Sequence, residues 1–316
     1  IFQGFLFSAG MNFNKKIIIF SATVVYLGML FFFLSVLLND VKFTSKAFLS
    51  TLNLSNFLDK NNINPLITVA STIFAYFSIV ILSFGDFSRY VKNENELNKG
   101  NFSLILNLII FSFFALFIVI GADAFLKLNT ESLDRIFTNP TDIIGNLDNI
   151  LVTVLVLFFI IIASISTNLI TNFIPSLYTL INFAPSSLSL KSSSLIIGIT
   201  GFIVGVFWLT FLSQIGILAF VDTTAAFFGP LFGIMVTDYY KVKKGNLINK
   251  DIYSLERDGA YYYSGGWHLK GIYSLFIGFI FSASTIWNPN FMFLQSYSWI
   301  IGMFLAGFTY YLLAKR

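Results

Sequence analysis

The sequence contains no cysteine and a single histidine, His268. The first absence excludes a disulfide framework and thiolate metal sites, and the second excludes any multi-histidine metal cluster. Charge is scarce as well. Asp, Glu, Lys and Arg make up 11% of the chain, against about 25% in an ordinary soluble domain. Apolar residues take their place, at 56% of 316 residues, with 40 Phe among them. Such a composition describes a chain whose solvent is lipid. The net charge of +4 is too modest to suggest a nucleic-acid partner, and in a membrane chain its distribution matters more than its sum.

A helix that crosses a bilayer needs about 20 mostly apolar residues. Eight stretches meet this requirement, at 17–38, 66–85, 102–122, 150–172, 194–213, 216–237, 271–287 and 296–313, and residues 1–9 read as the tail of another. The period-two alternation of a barrel is absent, so the expected fold is an all-α polytopic membrane protein of about eight transmembrane helices. The connecting segments set an orientation. All but five of the 19 Lys and Arg fall on one side, together with the C-terminus; the five are Lys42, Lys46, Lys60, Lys127 and Arg135. This bias places the C-terminus in the cytoplasm of a multi-pass cell-membrane protein. Of the two long outer segments, 39–64 has the pattern of an amphipathic surface helix and 123–149 is turn-rich.

Inside the spans, polarity concentrates in "SISTNLITNF" (164–173), where Ser164, Ser166, Thr167, Asn168, Thr171 and Asn172 follow directly on "LVLFFIIIA". At helical spacing Ala163, Thr167 and Thr171 stack beside Ser164, Asn168 and Asn172, giving one broad polar face. Serine and threonine in membrane helices often bond back to their own backbone or glue neighbouring helices. Two asparagines one turn apart are harder to absorb that way, because each amide brings two donors and two acceptor sites. Hydroxyls and loosened carbonyls suit a dehydrated small cation, and amides suit a planar polar solute. Asp222 is the one carboxylate within the spans. It reads either as a functional intramembrane acid or as a wetted residue at the outer interface. Pro175, and Gly229-Pro230 with Gly233, read as helix interruptions of the kind transporters use at sites and hinges.

Four blocks resemble nucleobase–cation symporter family one, the cytosine, uracil, allantoin and hydantoin permeases. They are "FGDFSRYVKN" (84–93), "STNLITNFIPSLYTLINFAP" (166–185), "GPLFGIMVTDYYKVKKGNLINKDIY" (229–253) and "YYYSGGWHLKG" (261–271). The resemblance covers essentially the whole chain and implies spans five to twelve of a five-plus-five inverted-repeat transporter. On this reading residues 1–316 are a single transmembrane transporter domain, N-terminally incomplete by about four spans. It also assigns roles. Ala163 (through its carbonyl), Ser166 and Thr167 match sodium ligands, and Asn172, with Asn168 one turn earlier, matches the amide that hydrogen-bonds the substrate ring. Phe77, preceded by Tyr76, stands where the family's hydantoin carrier has a stacking tryptophan, and Asp222 stands where that carrier has an amide, which makes it a candidate for cation coupling. His268 replaces the usual asparagine in a cytoplasmic loop and is read as solvated.

The implied activity is import of a nucleobase or related planar solute (cytosine, uracil, purine, allantoin or hydantoin) by cation symport with alternating access. The coupling ion is sodium, with a proton as the alternative, and there is no cofactor. The expected partners are the small-molecule substrate and membrane lipids, with the protein a monomer. An amino-acid or other organic-solute:sodium symporter of the same superfold is the competing reading, since fold does not give substrate. An enzyme would need a nucleophile, metal cluster or paired carboxylates, and the spans carry none.

Overall fold

In a computed structural model the described residues are 11–39, 60–129, 150–208, 217–248 and 250–315 apart from Tyr253 and Leu255, with Gly4, Leu49 and Gln214 as isolated positions. Among them the architecture is helical, with one isolated bridge between Ser264 and Trp267. In chain order the helices are α1 (Met11–Asn39), α2 (Lys60–Leu82), α3 (Phe84–Ser88), α4 (Glu94–Asn129) and α5 (Ile150–Asn168). A π-helical turn (Leu169–Phe173) then leads into α6 (Ile174–Phe183), followed by α7 (Leu190–Phe207) and α8 (Ile217–Thr237). A second π-helical turn (Asp238–Val242) ends α8; α9 (Leu269–Trp287), a 3-10 segment (Pro289–Tyr297) and α10 (Ser298–Ala314) complete the order. Eight segments among the described residues are long and apolar enough to cross a membrane. Most of 39–64 and of 123–149, including the surface helix and turn-rich run expected there, lies outside the described residues.

The chain divides into two compact units: Ile1–Asn56 with Asp86–Ile203, and Phe57–Gly85 with Val204–Arg316. In the first, α1 packs on α4 and α5. The ring of Phe33 sits 5.3 Å from that of Phe114 and 5.1 Å from that of Phe117, and Gly28 lets Phe159 approach to 3.2 Å of where a Cβ would stand. A polar contact also crosses this apolar seam: Tyr26 donates to Asn107 Oδ1 at 2.7 Å, and Asn107 Nδ2 donates to the Ser103 carbonyl at 2.7 Å. Such bonds between membrane helices contribute about 0.6 kcal/mol on average.

In the second unit α8, α9 and α10 pack at small residues. A Cβ on Gly229 would stand 2.5 Å from the Trp299 carbonyl oxygen, one on Gly233 2.0 Å from that of Met303, and one on Gly302 2.8 Å from Pro230 Cδ. The partners of Gly229 and Gly233 keep a constant offset, so α8 and α10 run parallel in close register. The sequence predicts an interruption at Gly229-Pro230-Gly233, yet α8 runs unbroken to Thr237 with Pro230 inside it. These residues serve backbone proximity, the commonest role of small residues between membrane helices.

Pro175 does coincide with an irregularity, but not with a helix end. Proline lacks the N–H and its ring clashes with the carbonyl four residues back. The chain widens just before it, and the Ile174 N–H bonds the Leu169 carbonyl, five residues back. Helical structure then continues to Phe183, so the span predicted to stop at 172 is eleven residues longer.

Candidate functional site

The π-helical turn carries the polar stretch and divides it. On its packed side Leu169, Phe173 and Leu177 are buried, with Ile197 of α7 against them. Ala163, Ser166, Thr167 and Thr171 face a cavity of about 660 Å³ whose other walls come from α1 and α4, among them Tyr26, Phe32 and Phe111. Asn168 and Asn172 are exposed and do not line it. The single broad face expected from periodicity is therefore two faces, one of hydroxyls and one of amides.

The hydroxyl face is organised by its own backbone. Ser166 is buried and donates to the Ala163 carbonyl at 3.0 Å, and Thr171 donates to the Thr167 carbonyl at 2.9 Å. Such back-bonds put carbonyl and hydroxyl oxygens on one face, and the π-helical turn that follows, a feature that recurs at functional sites, shifts the backbone hydrogen bonding by one residue. On the amide face Asn172 Nδ2 donates to Asn168 Oδ1 at 2.5 Å. Asn172 keeps its carbonyl and a second N–H, and Asn168 keeps its NH2, so the pair presents both donors and acceptors. Among the described residues no group of His, Cys, Asp and Glu could hold a metal ion.

Downstream, Tyr178 of α6 receives the guanidinium of Arg89 over its ring at 4.2 Å, and its hydroxyl pairs with that of Tyr90. Arg89 also bonds Asp86 at 3.1 Å. The "FGDFSRY" block thus fastens the helix that follows the polar turn. Sequence reasoning missed Tyr178, Tyr26 and Asn107. The signal for Asn107 was present, a lone amide in "LILNLII".

Tyr76 and Phe77 belong to the second unit. Tyr76 is exposed, Phe77 is half-buried, and their rings meet edge to face at 5.4 Å. Asp222 accepts a hydrogen bond from Gln295 Nε2 at 2.8 Å, which ties the 3-10 segment to α8.

His268, read from the sequence as solvated, is only half-buried and is held in a cluster of side chains. Its ring stacks on Tyr263 at 4.0 Å, and its Nε2 lies 3.4 Å from the Tyr310 hydroxyl, which bonds Asp238 at 2.6 Å. Lys243 closes the cluster, 3.1 Å from Asp238 and 3.4 Å from the Tyr263 hydroxyl. Burial holds the imidazole pKa below its ordinary 6.5, Lys243 and Lys270 push it the same way, and Asp238 opposes them. The folded state therefore takes up this proton less readily than the unfolded one. The stability tied to neutral His268 is complete above pH 6.5 and is lost as pH falls below it. Thermal unfolding of wild type and His268→Gln between pH 7.5 and 5.5 is expected to diverge, with wild type falling more steeply. Parallel pH profiles would refute this.

A sequence profile of the family described as permeases for cytosine/purines, uracil, thiamine and allantoin matches residues 5–302. The chain is 24% identical over 251 residues to the purine-uracil permease NCS1 of Arabidopsis thaliana, covering 77% of this chain and 41% of that one. It is 26% identical over 253 residues to the allantoin permease of Bacillus subtilis (strain 168), covering 80% of this chain and 49% of the relative. It thus spans about half the length of the curated relatives it matches. Among solved structures, Mhp1, a nucleobase-cation-symport-1 family transporter in a closed conformation with bromovinylhydantoin bound, superposes with a TM-score of 0.69 at 18% identity. That match covers 100% of this chain and 65% of Mhp1; the inward-facing Mhp1 structure gives 0.58 at 20% identity. At such identities the likeness speaks for the fold alone. The profile match runs through nearly the whole chain, and the chain belongs to this family of permeases.

Proposed function

We propose that this chain serves in a secondary transporter that imports a nucleobase or related planar solute, such as cytosine, uracil, a purine, allantoin or hydantoin, by cation symport with alternating access. The observation that carries this reading is the π-helical turn in mid-span, with hydroxyls on one side over a cavity and a donor–acceptor amide pair on the other. Irregular backbone at membrane depth is tolerated only where it lines a cavity or is buried in protein, and it is where transporters place their ligands.

Sodium is the proposed coupling ion, held by the Ala163 carbonyl, Ser166 Oγ and Thr167 Oγ1. The Ala163 and Ser166 oxygens already lie 3.0 Å apart, so one small cation can bridge them once the hydroxyl proton turns away. Asn172, supported by Asn168, is the proposed hydrogen-bonding contact to the solute ring. Phe77 and Tyr76 are the proposed aromatic faces for a flat solute, by offset stacking. Asp222, held by Gln295, is the proposed influence on coupling. The lysine-rich side, with the C-terminus, is placed in the cytoplasm.

The test uses the complete natural protein in proteoliposomes and measures uptake of radiolabelled uracil, cytosine, allantoin and hydantoin with and without a sodium gradient at fixed pH. Saturable, sodium-dependent uptake of at least one of them is expected. Uptake no greater than in protein-free vesicles for all four would end the solute assignment. Equal uptake without sodium would end the sodium assignment and leave the proton.

A further inference from the structure

Along the seam between α8 and α10 runs a groove of about 450 Å³. Its floor is Gly233 and Gly307, both buried because the parallel helices touch there. Its sides are the exposed apolar side chains of Val236, Phe304 and Phe308. At one end stands Lys241 beside Tyr311, and Lys315 Nζ lies 5.5 Å from the Tyr311 ring. From Gly233 to Lys241 the helix rises about 12 Å at about 1.5 Å per residue. That is close to the depth of one leaflet of a hydrocarbon core about 30 Å thick.

We infer that this groove binds one anionic phospholipid, with an acyl chain along the glycine floor and the phosphate at Lys241 and Lys315. Two features choose this occupant. First, the apolar length ends where a headgroup would lie. Second, the mouth carries unneutralised positive charge: among the described residues neither Lys241 nor Lys315 pairs with a carboxylate, whereas the neighbouring Lys243 is committed to Asp238. Two full charges outweigh the two half-charges at the C-terminal ends of α8 and α10. Basic pockets between membrane helices hold acidic headgroups in this way. The inference needs only membrane-spanning helices and is independent of the transport reading.

The complete protein, delipidated in neutral detergent, is titrated with phosphatidylglycerol and with phosphatidylcholine of identical acyl chains, and bound lipid is counted by native mass spectrometry. One phosphatidylglycerol is expected to be retained at least tenfold more tightly than phosphatidylcholine. The double variant K241Q/K315Q is expected to lose about 30-fold in phosphatidylglycerol affinity, roughly a factor of five for each lysine, and K241R/K315R is expected to keep it. Val236→Trp, which fills the groove and leaves both lysines, is expected to exclude the lipid as well. Equal retention of the two lipids, or wild-type affinity in K241Q/K315Q, overturns the proposal. So does displacement of the lipid by millimolar inorganic phosphate, which would make this a free-anion site.

Discussion

Gly233→Ala is expected to lower the thermal unfolding midpoint of the detergent-solubilised protein by about 5 °C or more, and to reduce the yield of folded protein. The added methyl group would stand 2.0 Å from the Met303 carbonyl oxygen, 2.8 Å from its carbon and 3.0 Å from its Cα. All three are backbone atoms, so no rotamer change relieves the overlap, and α8 and α10 must part. Separating them also strains the contacts of Gly229 with Trp299 and of Gly302 with Pro230 on the same seam. Overpacking of a well-packed interior costs about 1–3 kcal/mol and occasionally more, and a rigid backbone neighbour puts this case at the upper end. About 2–4 °C of midpoint accompanies each kcal/mol in a domain of 150–250 residues. Gly201→Ala is the control, because a Cβ there meets nothing within 4 Å. It removes backbone freedom from the unfolded chain and is expected to be neutral or slightly stabilising. A Gly233→Ala midpoint equal to that of Gly201→Ala would mean that the two helices are not in backbone contact.

The number of apolar runs was the most legible part of the fold: eight were predicted, and eight segments long and apolar enough to cross a membrane are present among the described residues. The spans predicted at 216–237 and 271–287 appear as helices over Ile217–Thr237 and Leu269–Trp287. Where prediction and structure part, the cause is local. Hydropathy reports residence in lipid, not where the helical backbone stops, so α4 begins at Glu94, eight residues before its predicted apolar start. A Gly-Pro pair reads as a break when only chain-local chemistry is weighed. Beside a parallel helix the same pair is what allows close approach, and that partner is remote in sequence. Polar patterning marked the stretch in which the π-turn lies, but a period of 3.6 cannot anticipate the residue that a π-turn inserts. The hydroxyls of Ser166 and Thr167 face the cavity while Asn168 and Asn172 do not, because 163, 166, 167 and 171 share one helical face and 168 and 172 lie one residue's rotation further round. His268 was only partly legible for a related reason: a lone histidine in a loop gives no hint that Tyr263 and Tyr310 come from 5 and 42 residues away to pack against it.

Ser166→Ala combined with Thr167→Ala is expected to raise the sodium concentration for half-maximal uptake more than 100-fold, and to leave sodium-independent solute binding nearly intact. Each hydroxyl is a proposed ligand to a charged partner, and hydrogen bonds to charged groups contribute about 1.5–3 kcal/mol. Losing two such contacts costs at least about 3 kcal/mol, and 1.4 kcal/mol is tenfold in affinity. The backbone is expected to survive, since Thr171 bonds the Thr167 carbonyl and not its hydroxyl. The Ala163 carbonyl loses only the Ser166 donor, and the apolar anchor of Leu169, Phe173 and Leu177 is untouched. Ser164→Ala is the control, because Ser164 is exposed and does not line the cavity. Coupling free energy is reciprocal, so if sodium raises solute affinity by some factor, solute must raise sodium affinity by the same factor. The double variant should therefore lose both enhancements together, and solute affinity without sodium should match wild type. A double variant that keeps full sodium dependence would move the cation elsewhere. One that loses solute affinity equally with and without sodium would mean that the two hydroxyls hold the turn in shape and bind no ion.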